Sequence, residues 1–253
     1  MAHAQLSVNV NKYALLRNAR GTDTPNLITS INRCIAAGAQ GITVHPRRDQ
    51  RHIRFSDLPV VARHLADYHP HLELNIECEN HPELIAQVRD VCPAQCTLVP
   101  VTPGEITSDH GWDLPRQAAE LGPTVQALRD SGVRVSLFMD CLPSAVGRAL
   151  EVGAHRVELY TGPFAQAFGT TEQAHQTALF TESAAAAVDA GLGLNAGHDL
   201  DRHNLSAIWD TPGLAEVSIG HALICRALEV GTATSIRELL AALAGKPLAE
   251  SAD

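Results

Sequence analysis

The segment Gly41–His52 (GITVHPRRDQRH) combines an apolar, β-branched run with a loop that contains two histidines and three arginines. It begins as a short apolar, β-branched run, and Pro46 ends it because proline cannot donate a hydrogen bond to a neighbouring strand. His45, the first polar side chain after the run, exchanges protons near neutral pH. Three arginines follow, and guanidinium groups suit a doubly charged anion such as phosphate. The segment predicts a buried strand ending in an anion-binding loop, against the alternative of an ordinary solvated basic loop.

Length and composition place the chain among ordinary globular proteins. Its 253 residues are close to the roughly 250 of a (β/α)₈ barrel. No apolar run approaches the roughly 18 residues that a membrane span needs, and Met1–Val10 lacks the features of a signal peptide. We therefore expect one domain spanning residues 1–253, in the cytoplasm and not in a membrane.

The charged residues and cysteines narrow the classes of partner. A net charge of −9 argues against nucleic acid. The six cysteines are scattered without the paired spacing of a zinc ribbon, so we expect reduced thiols. Lys12 and Lys246 are the only lysines. The arginines concentrate in two early segments that we expect to be loops, which indicates small anionic substrates: Arg17, Arg20, Arg47, Arg48 and Arg51.

Strand and helix patterns alternate along the whole chain. Eight apolar, β-rich runs are separated by helical patterns, at residues 6–10, 41–44, 72–76, 97–99, 134–138, 157–160, 192–196 and 215–219. Eight such units in this length favour a closed parallel barrel over an open sheet. No Gly-x-Gly-x-x-Gly follows the first run, which weakens a dinucleotide-binding alternative.

The ends of the predicted strands supply candidate site residues, because barrel enzymes build their sites at the carboxyl ends of the strands. This rule selects Asn9, His45, Thr107, Thr161, His198 and His221. Gly197-His198 and Gly220-His221 follow the last two strands, where this fold commonly holds a phosphate. The alternative is that both glycines only make tight turns.

Two carboxylates fall inside predicted strands. Glu73 and Glu158 are costly to bury without a partner, so each is expected either to pair with a cation or to take part in chemistry. His45, Glu73 and His198 come from three different strands and form the candidate proton-transfer set over the barrel mouth.

Other chemistries fit less well. Three strand-end histidines are a rival zinc site, but the first strand lacks a histidine pair, so we expect no metal. A serine nucleophile lacks its Gly-x-Ser-x-Gly turn. A Schiff-base lysine would have to be Lys12, since Lys246 lies in the tail.

Several ordered motifs resemble the pyridoxine 5′-phosphate synthase family of the vitamin B6 pathway. The resemblance runs from Leu6 to about Val230 and is carried by residues 16–21 (LRNARG), 41–45 (GITVH), 51–53 (RHI), 135–138 (VSLF), 158–162 (ELYTG), 195–198 (NAGH) and 219–222 (IGHA). It implies a (β/α)₈ TIM barrel with extra helices and a homo-oligomer, commonly an octamer. It also implies an acid–base transferase without metal or organic cofactor. The reaction condenses 3-amino-2-oxopropyl phosphate with 1-deoxy-D-xylulose 5-phosphate to pyridoxine 5′-phosphate, phosphate and water.

The resemblance also assigns residues by position. His45, Glu73 and His198 correspond to the acid–base residues, and Glu158 to a charge that stabilises the transition state. The aminoketone phosphate would be held by Asn9, Arg20, Asp199, Gly220 and His221. The pentulose phosphate would be held by Asn11, Lys12, Arg47, His52 and Thr107.

Two positions depart from the family pattern. Many members have Asp-His at Asn11-Lys12, and lysine is a poorer proton shuttle. Many have glycine at Asp199. If the phosphate contact there is a backbone N–H, aspartate can supply it, but its carboxylate is expected to face away from the phosphate. These departures keep two alternatives open, a non-catalytic phosphosugar-binding barrel and another phosphosugar-processing enzyme on the same fold.

Overall fold

Eight parallel strands close into a barrel in chain order, with β8 hydrogen-bonded back to β1. The structure is a computed structural model that describes residues 4–102, 104–105 and 107–247. The strands are β1 Gln5–Asn9, β2 Gly41–Val44, β3 Glu73–Glu79, β4 Gln95–Val99, β5 Arg134–Met139, β6 Arg156–Tyr160, β7 Gly193–Gly197 and β8 Leu214–Ile219. The (β/α)₈ barrel predicted from the strand and helix pattern is confirmed.

Helices surround the barrel, with more than one helix after three of the strands. They are α1 Asn11–Arg20, α2 Leu27–Ala36, α3 Asp57–Tyr68, α4 Pro82–Val91, α5 Leu114–Asp130, α6 Pro143–Val146, α7 Gly162–Ala167, α8 Gln173–Asp189, α9 His221–Val230 and α10 Thr232–Leu243, with 3₁₀ turns at Gly147–Val152 and Asn204–Ala207. The doubled helices after β1, β6 and β8 are the expected extra helices. Within the described ranges, no helix combines the length and the apolar character that a membrane crossing requires.

The two faces of the strands bury different chemistry. Side chains that face the barrel interior are largely polar and hydrogen-bond between neighbouring strands, as in Ser7 to Thr43 (2.7 Å) and Thr97 to Asn75 (3.1 Å). Alternate positions face the helices and form the apolar core, including Leu6, Ile42, Ile76, Leu98, Leu137 and Val217. The barrel interior is therefore a polar column that ends at the mouth, where the site is expected.

Helix α1 occupies part of a segment that we expected to be a loop, so the placement of Arg17 and Arg20 in a loop is wrong. Its buried face consists of Ala14 and Arg17, which leaves too few apolar residues for a helical pattern to be recognised. Arg17 lies buried and makes two 2.8 Å contacts with Asp57 at the start of α3. Arg17 therefore fixes α1 to α3 and is not a substrate ligand.

Candidate active site

Strand register places His45 and Glu77 side by side at the barrel mouth. Val44, the last residue of β2, pairs with Ile76 of β3. The residues that follow them, His45 and Glu77, are therefore neighbours on adjacent segments. Nδ1 of His45 lies 3.4 Å from a carboxylate oxygen of Glu77, and both side chains are almost buried. The backbone N–H of His45 donates to the side-chain oxygen of Asn11 at 2.9 Å. These contacts fix an imidazole against a carboxylate, the arrangement that general acid–base catalysis requires.

Two neutral hydrogen-bond donors, from β1 and β8, also reach Glu77. Asn9 at the end of β1 donates its amide and Ser218 of β8 its hydroxyl, each at 3.4 Å. These distances exceed the usual 2.7–3.2 Å of strong hydrogen bonds. Groups at the ends of β1, β2 and β8 therefore position the Glu77 carboxylate. Because these contacts are long, its oxygens can still accept a hydrogen bond or a proton from substrate.

The prediction that Glu73 joins His45 and His198 is wrong. Glu73 is the first residue of β3 and pairs in register with Gly41 at the start of β2. At about 3.3 Å per residue it lies roughly 13 Å from Glu77, towards the amino-terminal end of the barrel. There its carboxylate makes an ion pair with the guanidinium of Arg134, the first residue of β5. Glu73 thus pairs with a cation, one of the two outcomes expected for a carboxylate in a strand.

The error lies in the choice between two carboxylates of the third strand. A strand at 72–76 puts Glu77 directly after it, at the end that the barrel rule selects, but Glu73 was assigned by position from the resemblance; β3 itself continues to Glu79. Glu73, Asn75, Glu77 and Glu79 alternate and share one face of the strand. No proline or glycine stands between Ile76 and Pro82, which was the available signal that the strand continues.

Glu158 is the second carboxylate that was expected either to pair with a cation or to take part in chemistry. It lies inside β6 and is almost fully buried, and its Oε2 has no hydrogen-bond partner among the described residues. Burial, followed by the neighbouring carboxylates of Glu77 and Glu216, raises the pKa of Glu158 well above its ordinary value. Gly197 of β7 packs directly against its Oε1, and a Cβ at that position would collide with it. The site therefore contains a buried carboxyl group in which burial and neighbouring carboxylates favour the protonated form.

His198 follows β7 and is held on three sides. Its Nδ1 contacts the carboxylate of Asp199 and its Nε2 the hydroxyl of Thr107, both at 2.9 Å. The ring of Tyr160 packs edge-on, with centroids 5.1 Å apart. Thr161, selected as a strand-end residue, is buried and donates its hydroxyl to the carbonyl of Gly197 at 2.7 Å. Thr161 therefore supports the β6–β7 junction, whereas Thr107 reaches the site from the loop after β4.

Asp199 turns its carboxylate towards His198. The hydrogen bond from His198, with the charge of His198 and His221, lowers the pKa of Asp199 despite its partial burial. Asp199 has a φ of 58° and His198 a φ of 82°, so both occupy the left-handed region that favours glycine. Glycine adopts this conformation without strain, which fits the glycine that the resemblance implies at this position.

The junction of β8 and α9 forms a candidate anion site. Gly220 precedes the ten-residue helix α9, and a Cβ at Gly220 would lie 3.0 Å from Cβ of Asn9. The backbone N–H groups of the first helical turn are available to an anion there. His221, the first residue of α9, adds an imidazole beside them. This geometry agrees with the phosphate site expected from the Gly-His pairs.

A second group of candidate anion ligands surrounds the loop after β2. Arg47 is buried, and burial together with the charge of Arg51 lowers its pKa. Burial, with the charges of His45 and Arg47, lowers the pKa of His52 to about 3. His52 is therefore a neutral imidazole, and its Nδ1 accepts the backbone N–H of Ile53 at 3.0 Å. The ring of His52 lies 6.0 Å from the ring of His45, so this group adjoins the proton-transfer pair.

Lys12 and Arg20 lie on helix α1, at different distances from the barrel mouth. Lys12 is half-buried in the first turn of α1, beside Asn11. Arg20 ends α1, is exposed, and makes no hydrogen bond or ion pair to any other described residue. A ten-residue helix spans about 15 Å, so Arg20 is well separated from Asn11 along the axis. The structure does not bring Arg20 into contact with the other predicted ligands.

The strand-end histidines do not form a metal-binding cluster in the described part of the chain. The group of three potential ligands found there consists of Glu105, Asp109 and His110, in the loop between β4 and α5. The nitrogen of His110 lies 2.8 Å from Asp109 and 3.2 Å from Glu105, so internal ion pairs account for these contacts. His45 and His198 instead face a carboxylate and a hydroxyl.

Comparisons with known proteins agree with this geometry. Residues 6–245 match the model of a family described as pyridoxal phosphate biosynthesis protein PdxJ. The chain is 48% identical over 246 residues to a pyridoxine 5′-phosphate synthase from Albidiferax ferrireducens, covering 95% of this chain and 97% of that one. It is 46% identical over 248 residues to the same enzyme from Xanthomonas campestris pv. campestris, with 95% and 96% coverage.

Solved structures share the fold at low sequence identity. A tryptophan synthase α-subunit from Pyrococcus furiosus superimposes with a TM-score of 0.62 at 13% identity, covering 94% of this chain and 97% of that one. A phosphoribosyl anthranilate isomerase from Thermus thermophilus gives a TM-score of 0.58 at 11% identity, with 95% and 98% coverage. These structures support the barrel alone. The family match and the relatives, together with the paired residues at the mouth, show that this chain belongs to the PdxJ family of pyridoxal phosphate biosynthesis proteins.

Proposed function

We propose that the chain catalyses the reaction of the pyridoxine 5′-phosphate synthases. It condenses 3-amino-2-oxopropyl phosphate with 1-deoxy-D-xylulose 5-phosphate to give pyridoxine 5′-phosphate, phosphate and water. The observation that carries this proposal is the His45–Glu77 pair, which lies between two separate groups of candidate anion ligands. A reaction that joins two phosphorylated molecules needs both groups and a proton-transfer centre between them.

The proton-transfer roles follow from the contacts at the mouth. Imine formation, enolisation, loss of water and ring closure each move protons, so positioned groups that give and take them accelerate every step. Glu77, in place of Glu73, and His45 take and return protons on carbon and nitrogen. His198, whose Nε2 faces the loop after β4, protonates leaving groups.

Glu158 supplies charge when the reaction requires it. A protonated imine carries positive charge close to the barrel interior, where an interaction with a carboxylate is strong because water is excluded. Glu158 stabilises that cation as a carboxylate, after its proton has passed to a base such as the neighbouring carboxylate of Glu77. Its close contact with Gly197 explains why the β6–β7 junction has no room for a larger residue.

Each of the two groups of candidate anion ligands binds the phosphate of one substrate. Asn9, Gly220 and His221 surround the start of α9 and suit the aminoketone phosphate. Asn11, Lys12, Arg47, His52 and Thr107 surround the loop after β2 and the loop after β4, and suit the pentulose phosphate. Arg20, and Asp199 through its backbone N–H, remain proposed ligands of the aminoketone phosphate on the resemblance alone. The proposed reaction uses no metal or organic cofactor.

A two-substrate assay tests the proposal. Purified protein is mixed with both substrates, and pyridoxine 5′-phosphate absorbance and phosphate release are followed together. We expect both signals in equal amounts, and neither with one substrate alone. Binding of both substrates without product would instead support a non-catalytic barrel. Conversion of a single substrate would support another phosphosugar-processing enzyme.

We also propose that the chain forms a cytoplasmic homo-oligomer, an octamer by family resemblance, with residues 1–253 as one domain. Leu15 and Leu16 on α1 and Leu228 on α9 are exposed apolar side chains on helices that contact each other. Such side chains are expected to be covered in an assembly. All six cysteines are free thiols, which suits a reducing compartment. Light scattering on a sizing column measures the assembly, and a monomer would refute it.

A further inference from the structure

We infer that Asp199 is a positioning residue, whose carboxylate orients His198 so that Nε2 is the nitrogen that exchanges protons with substrate. The inference rests on the proposed function and deepens it. It starts from the 2.9 Å contact between Asp199 Oδ2 and Nδ1 of His198. An ionised carboxylate only accepts hydrogen bonds, so Nδ1 must carry the hydrogen that it donates.

The other nitrogen of His198 then has a defined state. In the neutral ring, Nε2 bears a lone pair when Nδ1 bears the hydrogen. The hydroxyl of Thr107, 2.9 Å away, donates to that lone pair. Because Thr107 belongs to the loop after β4, a shift of this hydroxyl frees Nε2 to take or give a proton. The two contacts hold Nδ1 of His198 in a fixed hydrogen bond and leave Nε2 as the nitrogen that exchanges protons. The aspartate of a Ser-His-Asp triad orients its catalytic histidine in the same way.

The backbone supports a specific role for the Asp199 side chain. Asp199 and His198 both have positive φ, at 58° and 82°, which costs a non-glycine residue free energy. Glycine would adopt this turn without that cost. The carboxylate therefore occupies a position that backbone geometry alone would assign to glycine, and it contacts the ring of His198.

The charge of the Asp199 carboxylate is inconsistent with direct phosphate binding by that side chain, though not by the backbone N–H. The carboxylate stays ionised near neutral pH, because contact with His198 and the proximity of His221 lower its pKa. An anion beside a phosphate dianion would weaken binding. Directed at Nδ1, the same charge stabilises the imidazolium that forms each time His198 accepts a proton.

The test compares Asp199→Gly and Asp199→Asn with Asp210→Asn, which removes one exposed negative charge after the same strand. We expect Asp199→Gly to lower kcat about tenfold and to raise the solvent deuterium isotope effect on kcat, since removing a positioning group slows proton transfer. Asp199→Asn should lie between it and the wild type, because its amide oxygen accepts from Nδ1 without a charge. Asp210→Asn should match the wild type in kcat and in the solvent isotope effect.

Three further readouts separate this role from phosphate binding and from folding. The KM for the aminoketone phosphate should change less than about twofold, since a pure loss of substrate binding would raise KM at constant kcat. The melting temperature of Asp199→Gly should be unchanged or higher, because glycine suits the turn. Nitrogen chemical shifts of labelled His198 should show a protonated Nδ1 in the wild type and a mixture of tautomers in Asp199→Gly.

Defined outcomes overturn the inference. Unchanged kcat and isotope effect in Asp199→Gly would refute it, as would a raised KM with kcat retained. A wild-type protein that makes no product refutes the proposed reaction, and the chemical shifts then still decide whether Asp199 orients the ring.

Discussion

The two ends of the barrel interior contain similar residues in different states of pairing. At the amino-terminal end, Glu73 pairs with Arg134, and Glu216 accepts from the amides of Gln95 and Asn195 at 3.4 Å. At the mouth, Glu77 has three contacts of 3.4 Å and Glu158 retains an unpartnered oxygen among the described residues. In the described part of the chain, Glu77 and Glu216 both have only these long contacts, so the ends differ in the guanidinium partner of Glu73 and the unpartnered oxygen of Glu158. Buried polar groups are normally satisfied, and the unpartnered oxygen therefore marks the end that is kept for substrate.

The sharpest test of this comparison uses two carboxylates of one strand. Glu77→Gln keeps the shape of the side chain but cannot accept a proton, so we expect kcat to fall by about 10²–10⁴-fold. Glu73→Gln faces the other end of the barrel, so its kcat should stay within about threefold of the wild type, as expected for a side chain away from the reacting atoms. Steady-state assays with both substrates measure the two variants. Full activity of Glu77→Gln, or a selective loss in Glu73→Gln, would reverse the assignment of the two ends.

The next largest effect concerns Glu216 and the pH dependence of stability. Burial, opposed in part by Arg156, raises its pKa from 4.5 to about 7. The folded state therefore binds more protons than the unfolded state between these values, and stability falls as pH rises through this window. A shift of about 2.5 units corresponds to about 3 kcal/mol.

Glu216→Gln should remove that loss. Urea unfolding at pH 5 and pH 8 should give similar free energies for the variant, whereas Glu73→Gln, which keeps Glu216 and its burial, should still show most of the decline. The wild type should lose up to about 3 kcal/mol between these two pH values. An equal decline in the variant would show that Glu216 is not the group responsible.

A third prediction concerns His52 at the mouth, where the pH dependence has the opposite sign. Its pKa is lowered from 6.5 to about 3, so the unfolded state binds more protons and stability falls as pH drops below 6.5. At pH 5 the loss amounts to about 2 kcal/mol, from about 1.5 pH units at about 1.4 kcal/mol each.

His52→Asn isolates this effect, since its side-chain oxygen replaces Nδ1 as the acceptor for the N–H of Ile53. The difference in unfolding free energy between pH 7 and pH 5 should shrink by about 2 kcal/mol in the variant. His64→Asn, at a mostly exposed histidine on α3, is the control and should change it much less. A similar change in both variants would mean that burial of His52 is not the cause.

The barrel and much of its mouth could be predicted from the sequence, because the relevant signals are local. Alternating apolar runs define the eight strands, and the first polar residues after them include His45 and His198. Glu158 was expected either to pair or to react, and the structure leaves one of its oxygens unpaired.

The remaining features depend on relations between distant segments. Glu73 and Glu77 share one face of β3, so only the pairing with β2 shows which of them lies at the mouth. Arg17 could not be recognised as an internal residue, because its partner Asp57 lies 40 positions away. The direction of the Asp199 carboxylate depends on a left-handed turn that composition does not specify.

The smallest expected effect concerns the stability of the Glu73–Arg134 pair. Both side chains are about one-third exposed, and Arg134 also donates to Gln95 at 3.1 Å. Partly exposed ion pairs contribute about 1 kcal/mol or less, so Glu73→Gln should lower the unfolding free energy by no more than that at pH 7. Removing one partner of a truly buried pair costs about 3–5 kcal/mol because the other charge is left unpaired. Urea unfolding distinguishes these values, and a loss in the higher range would mean that the amino-terminal end depends on this pair, not on its network of amides and guanidinium groups.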